Sequence, residues 1–181
     1  MNLLLEFFCR FGWGMAAGLV LTPATLVPAG FFRVNLLVVL GLATGAAVIA
    51  SGLPADVTAG WATAGWAAVL AAVVAWVGSV AWLGERVGAG RLLCVATAVL
   101  LAAATVLATG SGPDGTGSRW LLGGAALVSG LVSGLAVHAM LLGHWYLNAP
   151  GMRVDALRRM IDLALAAWGI QAVVSLAGLA L

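Results

Sequence analysis

Charged residues are scarce in this sequence. Only 8% of its 181 residues are charged, none of these is a lysine, and 64% of the residues are hydrophobic. Soluble domains carry about a quarter charged residues, so this composition excludes a soluble protein. The net charge of +2 is spread over predicted loops and gives no basis for nucleic-acid binding. We therefore predict a chain whose surroundings are mainly lipid.

Cysteine is almost absent, with Cys9 in the first apolar stretch and Cys94 in the fourth. The predicted depths of the two residues in a membrane are far apart, whereas a disulfide needs Cα atoms within about 7 Å. We therefore reject a thiol–disulfide shuttle. Both cysteines are predicted to pack as small apolar residues.

The chain has only two histidines, His138 and His144, and this limits metal and haem chemistry. Six residues apart on one helix, they would lie about 9 Å apart along the axis and point in different directions, so they cannot bind one ion. A bis-histidine haem would need further histidines. A histidine–methionine haem through Met15 or Met160 is a distant alternative, and no metal site is predicted.

Groups that catalysis would need are also missing from the sequence. Ser133 and His138 lie on one predicted helix, whereas an intramembrane serine protease needs its serine and histidine to face each other from different helices. The sequence has no paired-carboxylate site, no phosphate-binding loop and no metal-ligand spacing. We predict that the protein is not an enzyme.

What the sequence has in abundance is long apolar segments. A helix of roughly 20 apolar residues crosses a bilayer core. The sequence therefore predicts an all-α integral membrane protein, with one domain over residues 1–181 and six transmembrane helices in three hairpins with short loops. The first segment lacks a basic start and a cleavage site, so it is predicted to be a retained span. The six segments are Leu3–Thr22, Val34–Leu53, Trp61–Leu83, Arg91–Gly110, Trp120–Leu147 and Leu157–Leu181.

The arginines are distributed unevenly between the two sides of this predicted bundle. Six lie in or beside the loops that join each odd helix to the next even helix, and two lie on the side of the termini. Basic residues are retained in the cytoplasm. We therefore predict a multi-pass protein of a cell membrane, such as a bacterial inner membrane, with both termini extracytoplasmic. The six are Arg33, Arg86, Arg91, Arg153, Arg158 and Arg159, and the two are Arg10 and Arg119.

The first segment combines a charged pair with a small-residue face. Glu6 and Arg10 are four residues apart and so share one helix face, either as an ion pair near the outer interface or as a charge site within the membrane. Gly14 and Gly18 form a small-xxx-small step that allows another helix to approach closely.

The fifth segment repeats this small-residue pattern and extends it to a histidine. Gly130, Gly134 and His138 recur every four residues. We predict that this face packs against a neighbouring helix, where His138 hydrogen-bonds across the interface.

A polar cluster is predicted where the fifth segment leaves the membrane. His144, Tyr146 and Arg153 are the candidate binding residues for a quinone or lipid head group, and the following hairpin brings Asp162 to a similar depth. The alternative is an ordinary interfacial belt in which Asp162 pairs with Arg158 or Arg159, of which Arg158, four residues earlier, is the nearest local partner.

Two classes of function remain open. The preferred one is a non-catalytic subunit or scaffold of a larger membrane complex, such as an electron-transfer chain, with lipids, other transmembrane subunits and a quinone or bound lipid as partners but no nucleic acid. The alternative is a small permease or channel for a proton, an ion or a small solute. Its polar path would consist of Glu6, His138, Asp162 and Gln171, of which only His138 and Gln171 are predicted near the midplane, fewer than a transporter usually has.

Overall fold

The computed structural model describes residues 2–53, 59–109, 116–149 and 153–179, and this part of the chain contains six α-helices and no strand. All six helices are long and apolar enough to cross a membrane, which confirms the predicted all-α multi-pass architecture. The helices are α1 (Asn2–Leu21), α2 (Ala29–Ser51), α3 (Ala59–Leu83), α4 (Val87–Thr109), α5 (Thr116–Asn148) and α6 (Asp155–Leu179).

Several helices begin earlier than the apolar pattern predicts. Helix α2 begins at Ala29 rather than Val34, directly after Pro28, whose extended backbone (φ −60°, ψ 148°) ends the preceding loop. Helix α4 begins at Val87 rather than Arg91. Hydropathy locates the membrane-embedded part of a helix, whereas polar and glycine residues at the interface continue the same helix beyond it.

Helix α1 lies at the centre of the bundle. It packs against α2, α4 and α5, while α3 packs against α2 and α4 on the far side, and α6 packs mainly against α5. Half of the membrane-spanning window of α1 is buried within the protein, compared with 11% of that of α6. The bundle is therefore built around α1, and α6 lies at its periphery.

The two ends of the bundle are distinguished by their residues. The C-terminal ends of α1, α3 and α5 lie at one end of the bundle, which we call the arginine side. We call the opposite end the terminal side. On the arginine side, the ring of Phe32 stacks on that of Trp82 with centroids 4.2 Å apart, which joins the start of α2 to the end of α3. Cys94 belongs to this end of the core and Cys9 to the terminal end, and both are buried and free, as predicted.

The closest approach between helices is made by α1 and α5, which run parallel. A Cβ atom on Gly14 would overlap the backbone carbonyl of Gly130, and a Cβ atom on Gly134 would overlap the backbone of Gly14. The indole N–H of Trp13 donates a hydrogen bond to the carbonyl oxygen of Leu127 across the same contact, at 3.0 Å. The predicted close-packing faces of the two helices therefore meet each other within one chain.

Candidate functional site

A buried histidine continues this contact towards the arginine side. His138 is fully buried, and its Nε2 atom lies 2.8 Å from the hydroxyl oxygen of Thr22. Gly18 provides the space, since a Cβ atom there would lie 2.6 Å from His138 Cγ. The predicted hydrogen bond of His138 across the helix interface is therefore present. The partner of His138 is Thr22, the residue directly after the end of α1.

The hydrogen bonds around Thr22 favour one tautomer of His138. The Thr22 hydroxyl lies 2.7 Å from the Gly18 carbonyl oxygen, to which it donates, while His138 Nδ1 has no partner. If the ring proton is on Nε2, it is donated to Thr22 and every donor has an acceptor. The other tautomer would leave a buried N–H without an acceptor, which is costly. The ring of Phe31 closes the site, with its centroid 5.3 Å from that of the histidine.

The sequence predicts His138 near the membrane midplane, and in the bundle it lies near the arginine-side end of α1. It is level with Thr22 at the end of α1 and with Met160, whose sulfur atom is 3.5 Å from the Thr22 hydroxyl oxygen. The remaining ten residues of α5 extend about 15 Å further, past the end of α1. The reason is the length of α5, which has 33 residues where α1 has 20.

The residues of the predicted polar path are far apart. Gln171 follows Met160 by eleven residues, so it lies about 16 Å from the level of His138. Glu6 precedes Thr22 by sixteen residues and lies about 24 Å from that level. Asp162 is exposed on the outside of the bundle. No described hydrogen bond or ion pair connects these residues to one another.

The predicted head-group cluster is likewise not assembled. His144 is exposed on the same side of α5 as Met140, which is 64% exposed, and Tyr146 is half-buried. Arg153 pairs with Asp155 instead, with Arg153 Nη2 2.8 Å from the carboxylate oxygen Oδ2. Among the described residues, no hydrogen bond or ion pair joins His144, Tyr146, Arg153 and Asp162.

The expected ion pair between Arg158 and Asp162 is also not formed. Both side chains are exposed, where an ion pair contributes little to stability. Asp155, by contrast, lies in the first turn of α6, where a carboxylate interacts favourably with the helix dipole as well as with Arg153.

The predicted pairing of Glu6 with Arg10 is present. Arg10 Nη2 lies 2.6 Å from Glu6 Oε2, and the two side chains are partly exposed. The pair therefore compensates most of the cost of two charges near the terminal side of the membrane.

Sequence reasoning missed a stripe on the second half of α6. Trp168, Gln171, Ser175 and Gly178 follow one another at intervals of three, four and three residues, which places them on one side of the helix; we call them the α6 stripe. Trp168 is 63% exposed, and a Cβ atom on Gly178 would meet nothing within 4 Å. The spacing was available in the sequence, but only the structure shows that α6 is peripheral.

A polar pair lies within this stripe. The amide nitrogen of Gln171 donates to the hydroxyl oxygen of Ser175 at 3.1 Å, and the hydroxyl side of the pair is exposed. The amide oxygen of Gln171 is turned inward, where it is buried and has no partner. The stripe thus presents hydrogen-bonding groups on the second half of α6.

The chemistry available in the described part of the chain is that of helix packing and polar recognition. No group of three or more histidine, cysteine, aspartate and glutamate side chains that could hold a metal ion occurs among the described residues. No family model, curated protein or solved structure matches this chain.

Proposed function

We propose that this protein is a non-catalytic integral membrane subunit or scaffold of a larger membrane complex, and that it docks to its partner through the α6 stripe. The observation that carries the proposal is the Gln171–Ser175 pair, whose hydroxyl is exposed on the least buried helix. An amide and a hydroxyl in hydrocarbon favour a neighbouring helix that offers hydrogen-bonding groups.

The occupant that fits the stripe is a transmembrane helix of another chain. The intervals between Trp168, Gln171, Ser175 and Gly178 match the spacing of a helix–helix contact, and Gly178 allows close backbone approach. Interhelical hydrogen bonds in membranes contribute about 0.6 kcal/mol on average and up to about 2 kcal/mol. Gln171 therefore supplies specificity, and the apolar surface around it supplies most of the contact area.

The glycine faces of α1 and α5 pack against each other, and this also favours α6 as the docking helix. Gly14 and Gly134 are covered within the chain, so α1 and α5 do not offer these faces to a partner. Helix α6 retains exposed large side chains along its length. They are Ile161, Leu165, Trp168, Ile170, Val173 and Leu176.

The alternative of a small permease or channel has less support. His138 is enclosed by Thr22 and Phe31, and its separation from Gln171 is about 16 Å along the helices. Transporters bring polar groups together near the midplane. Gln171, the other member of the path that is predicted near the midplane, bonds to Ser175, and no described hydrogen bond links it to His138.

We further propose that the arginine side faces the cytoplasm of a bacterial cell membrane, with both termini outside. Arg33, Arg91, Arg158 and Arg159 are exposed on that side, where they can contact anionic head groups. A quinone or bound lipid beside His144, Tyr146 and Arg153 is retained only as a contact at the bundle surface, since the structure does not join these side chains.

Site-specific photocrosslinking tests the docking proposal. A photoreactive phenylalanine derivative replaces Trp168 on α6 or, as a control, Val99 on α4; the two native side chains are 63% and 61% exposed. Irradiation in intact membranes should give a protein adduct of one defined mass from position 168 and only lipid adducts from position 99. Gln171→Leu should reduce the yield of the protein adduct severalfold, because it removes the interhelical hydrogen bond, while Leu165→Ala, beside the stripe, should leave the yield unchanged.

Three outcomes would overturn the proposal. The first is equal protein adducts from positions 168 and 99, which would indicate random contacts. The second is an adduct whose yield is unchanged in the Gln171→Leu variant, which would remove Gln171 from the interface. The third is an adduct of twice the mass of this chain, which would indicate a homo-oligomer in place of a larger complex.

A further inference from the structure

A groove on the terminal side lies between α1 and α5. Its volume is about 280 Å³, and its walls carry a charged pair, two hydroxyl groups and apolar side chains. The charged pair is Glu6 and Arg10 on α1, and the hydroxyls belong to Ser129 and Ser133 on α5. This groove is separate from the α6 stripe.

The polar wall of the groove has unused hydrogen-bonding capacity. A guanidinium has five N–H donors, and Glu6 accepts from Arg10 Nη2, while Arg10 Nε has no partner. The hydroxyls of Ser129 and Ser133 donate to backbone carbonyl oxygens of their own helix. Their lone pairs are therefore available to accept hydrogen bonds from a ligand.

The apolar wall continues the groove towards the lipid. Leu3 is 82% exposed and Phe7 is 55% exposed, and the ring of Phe7 stacks on that of Phe11 with centroids 5.7 Å apart. Glu6 and Arg10 lie about 6 and 12 Å from the start of α1, and side chains on a helix lean towards its N-terminus, so the charged pair can reach the head groups on the terminal side. A polar region at this depth beside an apolar surface suits an amphiphile.

The charges of the groove discriminate between head groups. Glu6 and Arg10 are 2.6 Å apart and together carry no net charge, so an anionic head group gains from Arg10 but is repelled by Glu6. A zwitterionic head group matches both, because its phosphate can contact the guanidinium and its ammonium can contact the carboxylate. A primary ammonium can also donate hydrogen bonds to Glu6 and to the serine hydroxyls, whereas a trimethylammonium cannot.

We propose that this groove binds a zwitterionic phospholipid with a primary ammonium, of the phosphatidylethanolamine class. The phosphate lies against Arg10, the ammonium against Glu6, and an acyl chain along Phe7 and Phe11. The site is independent of the docking role of α6, so either proposal can fail without the other.

Native mass spectrometry of the full chain tests the site. The delipidated protein is titrated with dioleoyl lipids whose head groups are ethanolamine, its mono- and dimethylated forms, choline and glycerol. Hydrogen bonds to charged groups contribute about 1.5–3 kcal/mol, so we expect the ethanolamine lipid to bind at least about tenfold more tightly than the choline lipid. Affinity should fall with each added methyl group, and this series requires no variant.

Variants locate the selectivity in the groove. Glu6→Gln should reduce the affinity for the ethanolamine lipid to that for the choline lipid. The Glu6→Gln/Arg10→Gln double variant leaves no unpaired charge, and it should bind the ethanolamine, choline and glycerol lipids with equal affinity. Asp155→Asn breaks the ion pair on the opposite side and should keep the selectivity. Equal binding of the ethanolamine and choline lipids by the wild type would overturn the proposal. So would tightest binding of the glycerol lipid, or selectivity that survives in the double variant.

Discussion

The contact between α1 and α5 predicts a strong effect of one methyl group. Gly134→Ala would place its Cβ atom in the backbone of Gly14, where no flexible side chain can move aside. The two helices must then separate along the whole contact. Separation also weakens the Trp13 hydrogen bond to α5 and the hydrogen bond between His138 and Thr22.

The expected loss of stability follows from these contacts. Overpacking of a well-packed interface costs about 1–3 kcal/mol, and weakening each hydrogen bond costs up to about 1 kcal/mol. Alanine regains up to about 1 kcal/mol over glycine through its helix propensity. We therefore expect Gly134→Ala to lower the free energy of unfolding by about 2–3 kcal/mol, which corresponds to a decrease in Tm of about 5–10 °C for a chain of this length.

The two buried cysteines provide the assay. Cys9 and Cys94 are free and buried, so a thiol-reactive fluorogenic dye labels the detergent-solubilised protein only as it unfolds. Gly124→Ala is the matched control on the same helix, since its Cβ atom would meet nothing within 4 Å. It should leave the Tm unchanged or slightly raised. Equal Tm values for Gly134→Ala and Gly124→Ala would refute the packing argument.

Three further predictions concern the buried threonine, the topology and the aromatic contact on the arginine side. Thr22→Val keeps the side-chain shape but leaves His138 without its partner, so it should cost about 1–3 kcal/mol in the same dye assay while Thr22→Ser is tolerated; equal Tm values for the two variants would contradict this. Reporter fusions at Leu181 and within residues 110–115 should both be active outside the cytoplasm, and a cytoplasmic signal from either would reject the proposed orientation. Trp82→Ala removes a buried stacked ring and should cost about 3–5 kcal/mol, and a Tm near that of the wild type would contradict the observed stacking.

The sequence was sufficient to predict the number of helices and the faces of closest packing. Apolar length determines the spans, because a helix in lipid satisfies its own backbone hydrogen bonds. Small residues four apart, such as Gly14 with Gly18 and Gly130 with Gly134, identify faces on which backbones can meet. Periodicity is a local property, so these predictions need no knowledge of which helices are neighbours.

The pairing of these faces could not be predicted in the same way. Nothing in the spacing of Gly14 and Gly18 indicates that their partner is α5 rather than α2 or a separate chain. The depth of His138 depends on how far α5 extends past α1, which is a property of the packed bundle. His144 was singled out because polar residues are rare in this sequence, yet an exposed polar residue at an interface needs no partner within the chain.

The helices differ in how much of their surface is packed within the chain, and this difference supports the proposed assembly. Helix α1 packs against three neighbouring helices, whereas the buried residues described in α6 lie no further along than its middle: Ala156, Met160 and Ala167. Beyond Ala167 the apolar side chains are satisfied by lipid, since lipid tails are as apolar as leucine. Lipid tails offer no hydrogen bond to the exposed hydroxyl of Ser175, whose partner among the described residues is the amide of Gln171. The second half of α6 therefore has the surface that the proposed partner helix would cover.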